Sequence, residues 1–176
     1  GNSGTTLRII SAIATLGNEE ITFDGDDSLR TRIMAGLLTS LSDLGATCSS
    51  NNNFAPITVK GPIKGGKTKV DGTTSQYLTA LLMTLPLAKK DSILTLDFLN
   101  EADYVKITLD WSSRCGISIE YNPNMLEYHI KGNQEYHSFN RVIPADFSTA
   151  AFPLAAGLIA GNQLKIANLD FDDLQG

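Results

Sequence analysis

The stretch VDGTTSQYLTALL, residues 70–82, joins the end of a predicted strand to the start of a predicted helix. β-Branched and polar residues alternate over Lys67–Val70, which indicates a short strand, and Asp71-Gly72 is typical of a turn. Thr73-Thr74-Ser75 follows where a helix needs its N-cap, and leucines then recur at helical spacing. The first turn of such a helix has free backbone N–H groups and the positive end of the helix dipole, so it favours an anion.

Similar helix starts occur at two other places in the chain. Gly4-Thr5-Thr6 precedes an apolar run, and so does Asp146-Phe147-Ser148-Thr149. Other short segments recur 71 positions apart, at helix ends and at strand ends: Leu44-Gly45-Ala46 with Cys115-Gly116-Ile117, and Val59-Lys60-Gly61 with Ile130-Lys131-Gly132. We therefore predict an internal repeat of about 70 residues, with Gly45 as the left-handed residue that ends a helix.

This repeat predicts three units with the element order β-α-β-α-β-β. Unit one covers residues 1–66 and lacks its opening strand, unit two covers 67–138, and unit three, 139–176, is partial. The predicted helices are Thr6–Leu16, Leu29–Leu44, Ser75–Leu85, Asp103–Arg114 and Phe147–Ala160, the last kinked or shifted at its start by Pro153. The predicted strands are Glu20–Asp24, Ala46–Ser49, Ile57–Lys60, Lys67–Val70, Ile93–Asp97, Ile117–Tyr121, Leu126–Ile130, Arg141–Ile143 and Gln163–Ala167. The pattern predicts a mixed α/β fold.

Composition limits the class of protein. A chain of 176 residues with 42% hydrophobic residues is long enough to bury one good core. Its net charge of −5 argues against a nucleic-acid partner, and no apolar run approaches the ~18 residues of a membrane span. Cys48 and Cys115 are too few for a disulfide framework and are expected to be reduced, half-buried thiols. These features, with no visible signal peptide, predict a cytoplasmic protein.

Four motifs in a fixed order carry a resemblance to a known family. They are GNSGTTLR at 1–8, GDDSLRTR at 25–32, SQYLTALLM at 75–83 and DFSTAAF at 146–152. Together they resemble the 5-enolpyruvylshikimate-3-phosphate synthases (3-phosphoshikimate 1-carboxyvinyltransferases) over nearly the whole chain. The sister family that acts on UDP-N-acetylglucosamine shares the architecture but lacks the SQYLTALL run. The resemblance implies an inside-out α/β barrel lobe of repeated units, with units one and two in one lobe, unit three in the other and the site between lobes.

The resemblance also implies a reaction and its two substrates. The 5-hydroxyl of shikimate 3-phosphate attacks C2 of phosphoenolpyruvate, phosphate leaves, and neither a metal nor an organic cofactor is needed. By position, Gly4 and Arg32 match residues that contact phosphoenolpyruvate. A glycine lets an anion approach the backbone, and the planar guanidinium of arginine suits carboxylate or phosphate.

The acceptor side of the implied site lies at the predicted start of the third helix. Thr74 and Ser75 match the hydroxyl pair that holds the 3-phosphate, Gln76 matches the amide that touches both substrates, and Tyr104 matches a tyrosine beside the shikimate. The family usually has a phosphate-binding serine three residues before that tyrosine, and here Glu101 takes its place. A carboxylate about 4 Å from a phosphate costs on the order of 4 kcal/mol per unit-charge pair at an effective dielectric of about 20. Either Glu101 points away and Asn100 serves, or the acceptor is not a phosphorylated shikimate.

The family's catalytic lysines and acidic residues, and its further arginines, fall outside the positions that match this chain. We therefore expect a central fragment that is inactive alone and whose partner is the remainder of its parent chain. Three functions stay open: an enolpyruvyl transferase fragment of the shikimate pathway, the same chemistry on another hydroxyl acceptor, and a non-catalytic folding or binding module.

The roles of several single residues have two possible interpretations. Arg8 is open between a solvated surface residue and a functional one. Asp146 is expected to be a helix cap rather than a catalytic base, and His129 and His137 are expected to be surface histidines.

Overall fold

Helices and strands alternate along the computed structural model, in which residues 2–171 and 174 are described. The chain divides into two units, Gly1–His137 and Ser138–Gly176. The helices are α1 (Gly4–Ala14), α2 (Ala35–Asp43), α3 (Ser75–Thr84), α4 (Ala102–Arg114) and α5 (Phe147–Ala160). The strands are β1 (Glu20–Phe23), β2 (Thr47–Asn51), β3 (Phe54–Lys60), β4 (Lys67–Lys69), β5 (Ser92–Thr95), β6 (Ile119–Tyr121) and β7 (Glu127–Ile130). Short 3-10 helices occupy Leu29–Thr31 and Leu85–Leu87.

The seven strands form two sheets with related connectivity. The first has the order β1-β3-β2 and is antiparallel throughout. The second has the order β4-β5-β7-β6, in which β5, β7 and β6 repeat the arrangement of β1, β3 and β2, and β4 adds a parallel strand beside β5. Within the described residues, the first sheet has no counterpart of β4.

Glycines at equivalent positions end two of the helices. Gly45 follows α2 with φ of +100°, and Gly116 follows α4 with φ of +86°. A side chain is disfavoured in this left-handed region, so glycine stops the helix and turns the chain toward the next strand. The predicted role of Gly45 is confirmed.

One hydrophobic core fills the first unit. The apolar faces of α2 and α3 and the inward side chains of β3, β5 and β7 supply many of its fully buried members, among them Leu37, Leu41, Ile57, Leu78, Leu81, Leu82, Leu94, Tyr128 and Ile130. Helix α1 packs along α3. This packing places the start of α1 beside the start of α3, so that Thr5 and Ser75 line one cavity.

The predicted helix Leu29–Leu44 is wrong, because the chain leaves the helical path at Arg32. Arg32 is extended, with φ of −83° and ψ of 119°, and separates the 3-10 helix from α2. The carbonyl of Ile33 accepts hydrogen bonds from the Tyr77 hydroxyl at 2.7 Å and from Arg8 at 3.1 Å, and Met34 N–H donates to Asn53 O at 2.9 Å. Tertiary partners therefore take the backbone groups that a continuous helix would use.

The second unit contains α5 with the predicted bounds. Asp146 accepts hydrogen bonds from the N–H groups of Ser148 and Thr149, which confirms it as the N-cap. Pro153 lies inside the helix and does not shift its start. The predicted strands Arg141–Ile143 and Gln163–Ala167 are wrong, because the described residues form no ladder there. The two segments are joined instead through Asn168, whose backbone carbonyl accepts from Ala145 N–H at 2.7 Å and whose side chain donates to Ile143 O at 2.9 Å. Of the described helices, none combines the length and apolar character needed to cross a membrane.

Candidate functional site

Two helices of the first unit begin with hydroxyl caps. Ser3 accepts a hydrogen bond from Thr6 N–H at 3.2 Å at the start of α1. Thr74 accepts one from Gln76 N–H at 3.3 Å at the start of α3. Thr74 is one of the hydroxyl residues that the sequence predicts at the cap of α3. At α1 the sequence predicts Gly4-Thr5-Thr6 as the capping turn, whereas the cap is Ser3 and the helix begins at Gly4 rather than Thr6. At α3 the N–H group of Ser75 also has a side-chain acceptor, the carboxylate of Glu101.

Arg8 joins these two helices. Its Nη1 donates to Gln76 Oε1 at 2.6 Å and its Nη2 donates to Ile33 O at 3.1 Å. The guanidinium also lies over the Tyr77 ring, 5.1 Å from the centroid, a favourable cation–π distance. Arg8 is half-buried. Its contacts with Gln76, Ile33 and Tyr77 exclude the interpretation of Arg8 as a solvated surface residue.

The amide of Gln76 is oriented by this contact. Since its oxygen faces Arg8, its NH₂ group is directed away from the guanidinium and remains a hydrogen-bond donor. Burial raises the pKa of Tyr77, partly opposed by the positive charge of Arg8, so the phenol stays neutral and donates to Ile33 O.

A cavity of about 400 Å³ lies beside the start of α3. Its lining comes from α1, α3, α4 and the residue before α4: Thr5, Ser75, Gln76, Thr79, Glu101, Tyr104, Ile107 and Thr108. The hydroxyls of Thr79 and Thr108 are 3.1 Å apart and join α3 to α4. The lining is thus rich in hydroxyl and amide groups, and among the described residues no lysine or arginine contributes to it.

Glu101 turns its carboxylate onto the start of α3. Its Oε2 accepts a hydrogen bond from the Ser75 hydroxyl at 3.0 Å and a longer one from Ser75 N–H at 3.4 Å. Ser75 is only 2% exposed, so these donors are shielded. Glu101 does not point away, whereas the side chain of Asn100 donates to Thr73 O at 3.3 Å.

The loop before α4 is held against the turn before α3. Asn100 N–H donates to Gly72 O at 3.0 Å, and Glu101 has a left-handed φ of +57°. A Cβ at Gly72 would collide with the carbonyl oxygen of Phe98, so glycine is required for this approach. The Asp71-Gly72 turn of the sequence therefore has a second role, since it admits the loop that carries Glu101.

Gly4 and Arg32 form a second group at the start of α1. A Cβ on Gly4 would lie 3.8 Å from Arg32 Cγ, so the arginine side chain passes beside the first residue of the helix. Arg32 is exposed, and no described residue forms an ion pair with it. Arg30, in contrast, pairs with Asp24 at 2.6 Å, and this hydrogen-bonded pair lowers the pKa of Asp24 to about 2. The GDDSLRTR motif therefore supplies one paired and one available guanidinium.

The structure brings the seven predicted site residues into two neighbouring groups. Ser75, Gln76, Glu101 and Tyr104 line the cavity, and Thr74 caps its helix. Gly4 and Arg32 do not line the cavity, but each is next to a residue that is connected with it. Gly4 precedes Thr5, which lines the cavity. Arg32 precedes Ile33, whose carbonyl accepts from the same Arg8 guanidinium that binds Gln76.

Sequence reasoning left Arg8 undecided and did not single out Thr5, Thr79 or Thr108. The spacing of Arg8 from Gly4, one helical turn, is a signal that could have placed it on the face that begins the site. Among the described residues, no group of three acidic, histidine or cysteine side chains is arranged to hold a metal ion.

Solved structures with a similar fold place the chain in a structural class. An EPSP synthase from Acinetobacter baumannii aligns with a TM-score of 0.71, covering 86% of this chain and 34% of that one at 23% sequence identity. A second structure of the EPSP synthase from that organism aligns equally well. The chain therefore has the enolpyruvyl transferase type of fold, and the predicted class, mixed α/β with repeated units, is confirmed.

Sequence comparison narrows the class to one family. The profile of EPSP synthase (3-phosphoshikimate 1-carboxyvinyltransferase) matches residues 1–176, so the chain belongs to the EPSP synthase family. The 3-phosphoshikimate 1-carboxyvinyltransferases of Acetivibrio thermocellus and Ruminiclostridium cellulolyticum are 43% and 40% identical over 178 aligned residues. That of Methanococcus maripaludis is 41% identical over 184. Each comparison covers 100% of this chain, which spans 42–43% of the length of these relatives.

Proposed function

We propose that the chain takes part in transfer of the enolpyruvyl group from phosphoenolpyruvate to the 5-hydroxyl of shikimate 3-phosphate, with release of phosphate. The observation that carries the proposal is the family match over residues 1–176. It is supported by a cavity at the start of α3 whose lining is made of hydrogen-bond donors and acceptors rather than apolar side chains alone. The reaction belongs to the shikimate pathway, and we place it in the cytoplasm, which cell fractionation would test.

The proposed roles of the residues follow from their positions. Gly4 keeps the start of α1 open to phosphoenolpyruvate, and Arg32 binds its carboxylate or phosphate with a guanidinium that no described carboxylate neutralises. Gln76 donates its NH₂ group toward both substrates, because Arg8 occupies its oxygen. Positioning and charge stabilisation of this kind are what an addition–elimination at phosphoenolpyruvate requires.

The acceptor is assigned to the cavity at the start of α3, beside the group formed by Gly4 and Arg32. Thr74 and Ser75 would hold the 3-phosphate at the start of α3, and Tyr104, which is 57% exposed, would lie beside the ring. Glu101 lies at the same place and bears on which acceptor the site prefers.

Proton transfer is assigned to side chains other than these substrate-binding residues. Among the described residues, the titratable side chains in the cavity lining are Glu101 and Tyr104, and Glu101 is hydrogen-bonded to Ser75. The 176-residue chain alone is accordingly expected to give no turnover.

The test is an assay of phosphate release and of enolpyruvyl ether formation by the complete polypeptide that the gene encodes. Arg32→Gln should lower kcat/KM by about 10- to 100-fold, the loss of one charge-assisted hydrogen bond. Arg30→Gln is the matched control, because Arg30 is paired with Asp24, and it should leave the rate near wild type. Absence of turnover with any hydroxyl acceptor would refute the proposal, and turnover only with an acceptor other than shikimate 3-phosphate would replace the acceptor.

We also propose that residues 1–66 and 67–138 are two repeats of one lobe and that 139–176 begins another. The related order of the two sheets supports this division for the first two repeats.

A further inference from the structure

Glu101 occupies the donors that an anion would need at the start of α3. Its carboxylate accepts from both the hydroxyl and the N–H of Ser75, at 3.0 and 3.4 Å. An oxyanion of a ligand would seek those two groups, since they combine a hydroxyl donor with the positive end of a helix dipole. A carboxylate and a phosphate cannot both use them.

Among the residues that the structure describes, no cation pairs with Glu101. The cavity that it lines contains no described lysine or arginine. A second anion that approached the donors of Ser75 would therefore be repelled by the negative charge of Glu101, which lies within hydrogen-bond distance of the same donors.

The position of the carboxylate is fixed by backbone contacts. Asn100, immediately before Glu101, is tied to Gly72 and Thr73 by hydrogen bonds of 3.0 and 3.3 Å. Glu101 O accepts from Tyr104 N–H at 3.1 Å as α4 begins. With the backbone held on both sides, only rotation of its own side chain can remove the carboxylate from Ser75.

We propose that Glu101 is a specificity-determining residue that holds the start of α3 as an internal anion and disfavours a phosphate there. The inference rests on the proposed function, because it concerns the acceptor end of the same cavity. It makes a neutral hydroxyl, rather than a phosphate dianion, the group best tolerated beside Ser75. A phosphorylated acceptor binds only after the Glu101 side chain has rotated away.

The test is a titration of the 176-residue chain with inorganic phosphate, followed by backbone amide NMR. Glu101→Ser removes the carboxylate, and Glu101→Gln removes the charge while keeping the size of the side chain. Both variants should bind phosphate at least tenfold more tightly than the wild type, with the shifts centred on the amides of Ser75 and Gln76. Without phosphate, Glu101→Gln should already shift the Ser75 amide, which reports the contact itself.

Glu120→Gln is the matched control, since Glu120 is an exposed carboxylate on β6 that lines a different cavity. It should leave phosphate affinity unchanged within twofold. Equal affinity in the wild type and both Glu101 variants, including no binding by any of them, would overturn the inference. An equal gain in Glu120→Gln would also overturn it, because the effect would then be one of net charge. Since the titration needs neither phosphoenolpyruvate nor turnover, its failure is distinguishable from failure of the proposed reaction.

Discussion

At the scale of single residues, Arg8 connects three parts of the structure near the candidate site. One guanidinium donates to a side chain of α3, donates to the backbone before α2 and covers an aromatic ring. Such an arrangement stabilises the packing of α1 against α3 and at the same time orients Gln76.

Removing Arg8 should therefore weaken the whole first unit. Arg8→Ala deletes two hydrogen bonds and the cation–π contact, so we expect the free energy of unfolding to fall by about 1–3 kcal/mol in urea denaturation. Arg30→Ala, which removes an exposed arginine, should cost clearly less. Equal effects of the two substitutions would show that the Arg8 contacts contribute little.

The pair between Asp24 and Arg30 should give a defined pH dependence. The hydrogen bond from Arg30 lowers the pKa of Asp24 from 3.8 to about 2. Because the folded-state value lies below the unfolded one, the pair stabilises the fold above about pH 4, and this contribution is lost as the pH falls toward 2. Asp24→Asn should thus be less stable than the wild type at pH 6, with the difference shrinking as the pH falls through about 2 in denaturant titrations. A difference that is constant over this range would contradict the assignment.

The candidate site could be predicted in part because several of its signals are local. Thr74 as a cap and Ser75 and Gln76 in the first turn of α3 follow from residue type and spacing. Arg8 could not be assigned, since its partners lie 25 and 68 residues away and depend on how α1 packs. The orientation of Glu101 likewise depends on a partner distant in sequence, since Ser75 lies 26 residues before it.

At the scale of elements, the starts of helices were easier to predict than their continuity. The start of α5 at Phe147 follows from the Asp146 cap, a local signal. The break at Arg32 cannot be predicted in this way, because the leucine and isoleucine spacing continues through it. The break depends on tertiary partners: Tyr77 and Arg8 donate to the carbonyl of Ile33, and Asn53 accepts from Met34 N–H. A strand needs a neighbouring strand to pair with as well as a suitable residue pattern. This explains why the pattern of Arg141–Ile143 predicts a strand although the segment forms no ladder.

The strand-end glycines of the repeat give a prediction at this scale. A Cβ at Gly132 would lie 2.6 Å from Ala88 O and 2.7 Å from Lys90 O, closer than backbone atoms tolerate. Gly132→Ala should lower the free energy of unfolding by about 1–3 kcal/mol, as overpacking does. Gly17→Ala is the control, because its Cβ would make an ordinary contact at 3.6 Å with Ala14 O. Thermal unfolding of both variants checks the difference, and similar midpoints would contradict it.

At the scale of the whole molecule, the repeat is the feature that sequence reasoning could use best. Gly61 lies 71 positions before Gly132, and a Cβ at Gly61 would collide with the carbonyl of Thr15 after α1, as one at Gly132 would with that of Ala88 after α3. The same close approach therefore occurs twice, which explains why the glycines recur at one spacing. The pairing partners of the strands were not accessible, since spacing alone does not distinguish parallel from antiparallel neighbours.

The division of the chain into two units predicts where a protease cuts first. No helix or strand is assigned to the described residues 138–146, and Ser138 to Ile143 are exposed. Trypsin should cleave after Arg141 before it cleaves after Lys60, which is paired on both sides in β3. Arg141→Gln should delay the first cut, as followed by mass spectrometry. A first cut inside the strands of residues 2–137 would contradict the division.

Because Arg8 contacts Gln76 with one nitrogen and the carbonyl next to Arg32 with the other, the two ends of the site share one side chain. A compound that pulls this guanidinium toward itself at one end changes the dissociation constant of a compound at the other. Thermodynamic linkage requires the reverse effect to have the same magnitude. The order in which two such compounds are added would then alter the route to the ternary complex but not its final stability.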